Sequence, residues 1–256
     1  MKKIYIIWVI LILICFSSNA QNSLYQNKEF ISKGDTLRYR VMFPENYNST
    51  IKYPLVVFLH GSGERGNDNE KQLVHGADLF SNPQNRNTYP AIVIFPQCPE
   101  NDSWVTLNEM PNDKFDIIDT KQPTKALLLV KKLIDSYQKT EAVDSKRVYI
   151  LGLSLGGMGT FDLICRYPKT FAAAISICGG VSVERLYKAR KMAIRIYNGG
   201  SDNIVSPDYS RNAYIKLKAK GAKNVQHIEF PGVGHDSWTS AFAEPDFLKW
   251  LFAQKQ

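Results

Sequence analysis

The chain is poor in the features that would place it outside ordinary globular proteins. It has only four cysteines and four histidines in 256 residues, and neither type falls in a metal-binding spacing. There is no internal repeat and no linker-like stretch of biased composition. Its one long apolar run, from Ile4 to about Phe16, is too short to span a bilayer comfortably. The formal charge is +8, but the basic residues are scattered. Val130-Lys131-Lys132-Leu133 and Lys216-Leu217-Lys218-Ala219-Lys220 read as solvated faces of amphipathic helices, which argues against a nucleic-acid footprint. No cofactor motif and no metal site is expected. Asn67-Asp68-Asn69-Glu70 lacks the spacing and glycine of a calcium loop and reads as a solvated turn.

The N-terminus stands apart. Lys2 and Lys3 precede the apolar run, and Ser18-Asn19-Ala20 follows it with small residues. Residues 1–20 are expected to be a cleavable signal peptide, leaving residues 21–256 as one domain outside the cytoplasm, secreted or periplasmic, with no stable membrane insertion. Removing Lys2 and Lys3 leaves +6 on that domain. Cys15 would leave with the signal. Cys98, Cys165 and Cys178 remain, and an odd number leaves at least one unpaired. Cys165 on an apolar helix face and Cys178 in an apolar strand read as buried thiols.

What is present is a series of short, unbroken apolar runs: Leu55–Leu59, Ala91–Phe95, Arg147–Leu151, Ala172–Ile177 and Ala193–Tyr197. Such runs suit strands buried on both faces, as in a parallel sheet. Thr36–Phe43 alternates and predicts an antiparallel start, and Val225–Phe230 alternates as an edge strand does. Helical patterns at Lys125–Gln138, Leu155–Tyr167, Pro207–Lys220 and Asp246–Ala253 separate several of the strands. The alternation predicts a doubly wound α/β fold, a mostly parallel sheet with helices on both faces. In such a sheet the loops beyond the strand C-termini form the ligand crevice. The long polar stretches Gly61–Pro90 and Gln97–Pro123 are such loops.

Gly152-Leu153-Ser154-Leu155-Gly156 matches G-x-S-x-G directly between a predicted strand and a predicted helix. A sharp strand-to-helix turn lifts a serine hydroxyl clear of the sheet and crowds the positions two before and two after it, so glycine is needed there. The helix N-terminus beside the serine favours developing negative charge. A serine needs a base, and His235, in a glycine-rich loop after the last strand, is the best placed. His60 heads a turn, His227 lies inside a strand, and His75 lies in a polar loop where a ligand role stays open. The acid that orients the imidazole is expected to be Asp202, after the strand ending at Asn198, ahead of Asp208 and Asp236, because the order serine, acid, histidine fits this arrangement. Two backbone N–H groups should face the developing oxyanion, one from Leu155 and one from the turn after Leu59, where Ser62 is preferred and Gly63 is second. Trp238, Trp104 and Gln97 are candidates to line the substrate pocket.

Four ordered segments carry a resemblance: Leu59–Gly66, Phe95–Pro99, Gly152–Gly157 and Pro231–Trp238. Together the chain resembles the phospholipase/carboxylesterase group of α/β-hydrolases. More narrowly it is similar to secreted bacterial esterases related to feruloyl and acetylxylan esterases, often labelled predicted peptidases. The resemblance implies the same serine, histidine and aspartate and an oxyanion donor in the His60–Gly63 turn. It implies a serine esterase acting on a small-molecule or polysaccharide-linked ester, plausible acyl groups being feruloyl or acetyl. A serine peptidase on the same three residues and a non-catalytic binding module are the alternatives. One departure is visible: the segment before the acid often reads His-Gly in relatives and is Asn198-Gly199 here.

Overall fold

The computed structural model describes residues 24–110 and 114–256. The expected signal peptide lies outside the described residues. Among the described residues ten strands form in chain order: β1 (Gln26–Ser32), β2 (Asp35–Met42), β3 (Tyr53–Leu59), β4 (Ile92–Pro96), β5 (Leu107–Met110), β6 (Lys114–Ile117), β7 (Val143–Leu153), β8 (Ala173–Ile177), β9 (Ala193–Gly199) and β10 (Val225–Phe230). Eight of them make one sheet in the order β1-β2-β4-β3-β7-β8-β9-β10. From β4 to β10 the neighbours are parallel, while β1, β2 and β4 pair antiparallel.

Every residue of β3, β4, β8 and β9 is buried, as continuous apolar runs require. β2 alternates between core and solvent, and β10 closes the far edge. β1 goes beyond what the sequence pattern predicts. It is mostly exposed and carries the polar string QNKEFIS, so no apolar pattern marks it. A two-residue turn folds it onto β2, with Lys33 and Gly34 both at positive φ (55° and 85°), the combination that matches strand twist in tight hairpins.

The helices are α1 (Ala77–Ser81), α2 (Pro83–Thr88), α3 (Lys125–Thr140), α4 (Leu155–Arg166), α5 (Pro207–Ala219), α6 (Trp238–Phe242) and α7 (Phe247–Phe252). Thr124 caps α3 by accepting from the Leu127 N–H. Ser206 caps α5, whose first residue is Pro207, and Gly221 at φ 80° follows its end. On one face of the sheet α3, α4 and α5 bury Leu133, Phe161, Leu163 and Leu217 against Leu55, Val57, Ile150 and Ile194. On the other, α1, α6 and α7 bury Phe80, Ala241, Phe247 and Leu251 against Phe58, Phe95, Leu151 and Tyr197. Two apolar layers on one sheet make the doubly wound arrangement. The polar stretch 97–123 holds β5 and β6 as a small antiparallel ribbon, and 61–90 holds short helical turns, none of which the apolar pattern announces.

The three remaining cysteines are buried and unbridged. Burial pushes the Cys165 and Cys178 thiols up to about 12. Cys178 lies one residue beyond the end of β8, at φ 40°, rather than within the strand. Asn69 departs from the solvated turn expected for its segment. It is 2% exposed, its N–H bonds Gln97 Oε1, and its side-chain amide bonds Asn27 Oδ1.

Candidate active site

Parallel strands deliver their C-terminal ends to one edge, and the turns beyond β3, β7, β9 and β10 meet there. Ser154 sits between β7 and α4 at φ 52°, ψ −120°, a region an L-residue adopts only under strain. The two flanking glycines are required by close approach. A Cβ on Gly152 would lie 2.3 Å from the Gly156 carbonyl oxygen, and one on Gly156 would lie 2.0 Å from the Leu59 carbonyl oxygen. The Ser154 N–H bonds the Ile177 carbonyl at 2.8 Å, which ties the turn to β8.

His235 Nε2 lies 2.9 Å from Ser154 Oγ, and Nδ1 lies 2.8 Å from Asp202 Oδ2. A carboxylate accepts, so the proton sits on Nδ1 and Nε2 is free to accept from the hydroxyl. Asp202 Oδ1 accepts from the N–H groups of Ile204 and Val205, each at 2.9 Å. Burial would raise the Asp202 pKa, but the His235 bond and the two N–H donors outweigh it and hold the carboxyl below its ordinary value. The loops bearing acid and histidine are laced together. Ser201 N–H bonds the Val233 carbonyl at 2.9 Å, Gly200 N–H bonds the Phe230 carbonyl at 2.9 Å, and a Cβ on Gly199 would lie 2.1 Å from the Gly234 carbonyl oxygen. Of the rival acids, Asp208 is bonded to Arg211, 2.8 Å away, and Asp236 is exposed.

The turn after β3 passes close to the serine. A Cβ on Gly61 would stand 3.6 Å from Ser154 Cβ. Ser62 opens a single 3-10 turn, Ser62–Glu64, and Leu155 opens α4, so each has an N–H without an acceptor inside its own helix. Gly63 faces open space, with nothing within 4 Å of where its Cβ would be. His60 fixes this turn from below. Its Nε2 accepts from the Cys98 N–H at 2.9 Å, so Nδ1 carries the proton and donates to the Gly61 carbonyl at 2.6 Å. Burial drives the His60 pKa down to about 4, which keeps the ring neutral.

Two of the three pocket candidates lie elsewhere than expected. Trp104 is fully buried, with its Nε1 donating to the His60 carbonyl at 3.0 Å. Gln97 is 1% exposed, accepts from the Asn69 N–H at 2.7 Å and donates to the Glu64 carbonyl at 3.2 Å and to Asp68 Oδ1 at 2.9 Å. Both amide and indole are spent on holding the 60–70 segment, and neither reaches the site surface. Trp238 does reach it, edge-on to His235 with ring centroids 5.7 Å apart. Glu64 has no place among the residues expected from sequence. Its carboxylate sits on the turn beside the serine, and only the fold shows that proximity. Asn198, at the departure from the relatives' His-Gly, accepts at Oδ1 from His227 Nε2 at 2.5 Å and donates to Glu229 Oε2 at 3.1 Å. It is thus tied to β10 behind the acid-bearing turn. Among the described residues no group of three or more His, Cys, Asp or Glu side chains could hold a metal ion.

A mostly parallel sheet layered by helices on both faces, with a strained serine turn, a histidine and a buried aspartate at its C-terminal edge, defines an α/β-hydrolase. Within that class the chain belongs to the phospholipase/carboxylesterase family, whose pattern matches residues 48–249, and it is a carboxylic ester hydrolase. It is 28% identical over 197 residues to carboxylesterase SOBER1 of Arabidopsis thaliana, covering 70% of this chain and 82% of that protein. It is 28% identical over 134 residues to a bifunctional acetylxylan esterase/xylanase of Neocallimastix patriciarum, covering 52% of this chain and only 19% of that protein. The crystal structure of a thermostable esterase superposes with a TM-score of 0.85 at 34% identity, over 93% of this chain and 64% of that one.

Proposed function

We propose that Ser154, His235 and Asp202 are the catalytic triad of a secreted esterase that removes feruloyl or acetyl groups from polysaccharide, or cleaves related short acyl esters. The observation that carries the reading is the unbroken hydrogen-bond chain, Ser154 Oγ to His235 Nε2 at 2.9 Å and His235 Nδ1 to Asp202 Oδ2 at 2.8 Å. His235 takes the Ser154 proton as Oγ attacks the ester carbonyl. The tetrahedral oxyanion is held by the Leu155 N–H and by that of Ser62, with Gly63 the second choice. His235 then protonates the departing alcohol and leaves an acyl-serine. Water, deprotonated by His235, releases the acid and restores the serine. Asp202 stabilises the imidazolium formed twice in the cycle without itself taking the proton.

The polysaccharide substrate class rests on the motif resemblance and on the acetylxylan esterase named above. Secretion rests on residues 1–20, and no helix among the described residues is long and apolar enough to cross a membrane. Turnover of p-nitrophenyl acetate and methyl ferulate tests the activity. Ser154→Ala should lower kcat by roughly 10^4-fold or more, as loss of a triad nucleophile does. A folded wild-type protein inert on both esters would refute the reading. An N-terminal mass beginning at Gln21 after export tests the signal peptide.

A further inference from the structure

We infer that a basic track along the edge of the sheet opposite Ser154 is a docking site for an acidic polysaccharide, a linear polymer that carries carboxylates. The track is separate from the triad and does not rest on the ester chemistry. It rests on the placement of charge and on export of the chain.

Topology makes the track. Parallel strands that send their C-terminal ends to the triad leave their N-terminal ends together on the far side. A seven-residue strand such as β9 keeps the two edges roughly 20 Å apart. Two clefts of small-ligand size open at the N-terminal edge. One, about 470 Å³, is lined by Lys52 just before β3, Arg147 on β7 and Lys249 on α7. The other, about 430 Å³, is lined by Lys169 in the turn before β8, Lys191 just before β9, Lys188 and Lys255. Residues 252–256 run from one to the other: Phe252 and Ala253 line the first cleft, and Gln254, Lys255 and Gln256 line the second. The clefts also meet at Asp144. Burial would raise its pKa, but the Arg147 bond, the Lys146 N–H and the charges of Arg147 and Lys255 outweigh that and lower it, so one cation from each cleft stands near the same carboxylate.

The charge there goes unanswered. Elsewhere lysines meet acids: Lys125 lies 3.0 Å from Asp35, and Lys216 lies 3.1 Å from Glu184. Among the described residues the ammonium groups of Lys52, Lys169, Lys188, Lys191, Lys249 and Lys255 have no hydrogen bond and no acidic side chain within 4.0 Å. The acids that border the track are committed to arginines. Asp144 takes Arg147 Nε at 2.7 Å, and Asp246 takes Arg195 Nη1 and Nη2 at 2.9 and 2.6 Å. Like charges gathered on one face repel, and a polyanion relieves that. Shape and side-chain type choose among polyanions. A flat bilayer surface does not enter a concave cleft, whereas a single polymer chain does. Six of the seven cations are lysines, which act as point charges, and only one is an arginine, the residue whose fork grips phosphate; carboxylates spaced along a chain fit this set better than a nucleic-acid backbone. Tyr89 and Phe252, stacked at 4.9 Å with 19° between their planes, give the first cleft a half-buried apolar bank on which the face of a sugar ring can lie. Export through residues 1–20 puts such a polymer in reach.

The test is fluorescence anisotropy of a fluorescein-labelled oligogalacturonate titrated with the protein. Binding should saturate at low salt and disappear at about 1 M NaCl, where the Debye length is about 3 Å. The triple variant Lys169→Gln, Lys191→Gln, Lys255→Gln should bind at least about tenfold more weakly. A charge-matched control, Lys216→Gln, Lys218→Gln, Lys220→Gln, removes the same charge from α5 and its end and should bind nearly as well as the wild type. Oligo(dT), poly-glutamate and phosphatidylglycerol vesicles should compete about tenfold more weakly per charge than unlabelled oligogalacturonate. No saturable binding, or an equal loss in the control variant, overturns the track. A competitor as strong as oligogalacturonate overturns the choice of an acidic polysaccharide. Both triple variants should keep the wild-type kcat/KM on p-nitrophenyl acetate, because the substituted lysines lie far from Ser154. The binding readout uses no turnover, so a wild type inert on esters would end the hydrolase reading and leave this result to stand or fall by itself.

Discussion

Asp202 keeps its charge in a buried setting because three donors face it: His235 Nδ1 and the N–H groups of Ile204 and Val205. Its folded pKa is therefore lower than its unfolded value of about 3.9. The stability it contributes is present above that unfolded value and is lost as pH falls through the folded one. Asp202→Asn should flatten the acid side of the urea-midpoint profile below about pH 4. At neutral pH the same variant should lose on the order of 10^4-fold in kcat on p-nitrophenyl acetate, since an amide leaves the imidazole in the wrong tautomer. Gly156 tests the turn by sterics alone. With a Cβ placed 2.0 Å from the Leu59 carbonyl oxygen, Gly156→Ala should cost at least about 1–3 kcal/mol in urea unfolding. Ser154, His235 and Asp202 are legible in the sequence because each sits in a short glycine-bearing segment just past a strand, and parallel strands send such segments to one edge. Trp104 and Gln97 mislead for the converse reason. Lying past a strand does not reveal whether a side chain points to the crevice or beneath it, and both point beneath.

The loop between β3 and α1 is an element in its own right, held by cross-links from the segment after β4. Gln97 bonds it at three places, Gly66 N–H bonds the Cys98 carbonyl at 3.0 Å, and His60 Nε2 takes the Cys98 N–H. Gln97→Ala would strand the buried Asn69 N–H and loosen the Glu64 carbonyl. Urea unfolding should show a loss of about 1–3 kcal/mol. The proposed Ser62 donor rides on the same turn, so kcat should fall about tenfold or more while KM changes less. The inner strands are visible as apolar runs because both their faces are buried. β1 is invisible because one edge strand with mostly exposed side chains has nothing to bury on a regular period. The β5–β6 ribbon and the short helices α1 and α2 are hidden within polar stretches, where turn chemistry rather than apolar spacing sets the backbone. Asn82 shows that chemistry after the fact, capping α2 by accepting from the N–H groups of Gln84 and Asn85 ahead of Pro83 at its first position.

At the scale of the whole molecule the sheet separates its ends. The proposed chemistry gathers at the C-terminal edge, beyond β3, β7, β9 and β10. Basic residues that look scattered along the chain are partly gathered elsewhere: Lys169, Lys188, Lys191 and Lys255 line one cleft, and Lys52, Arg147 and Lys249 line another, both away from Ser154. The fold class follows from strand and helix alternation, while this distribution of charge does not, because it depends on which loops the sheet order places side by side. The central claim is that one hydroxyl, at the strained turn, is made reactive by an imidazole 2.9 Å away. Labelling the folded protein with a fluorophosphonate and mapping the adduct by peptide mass spectrometry tests it most directly. The account predicts a single adduct, on Ser154, that disappears in His235→Ala; an unlabelled protein, or an adduct on any other residue, would contradict it.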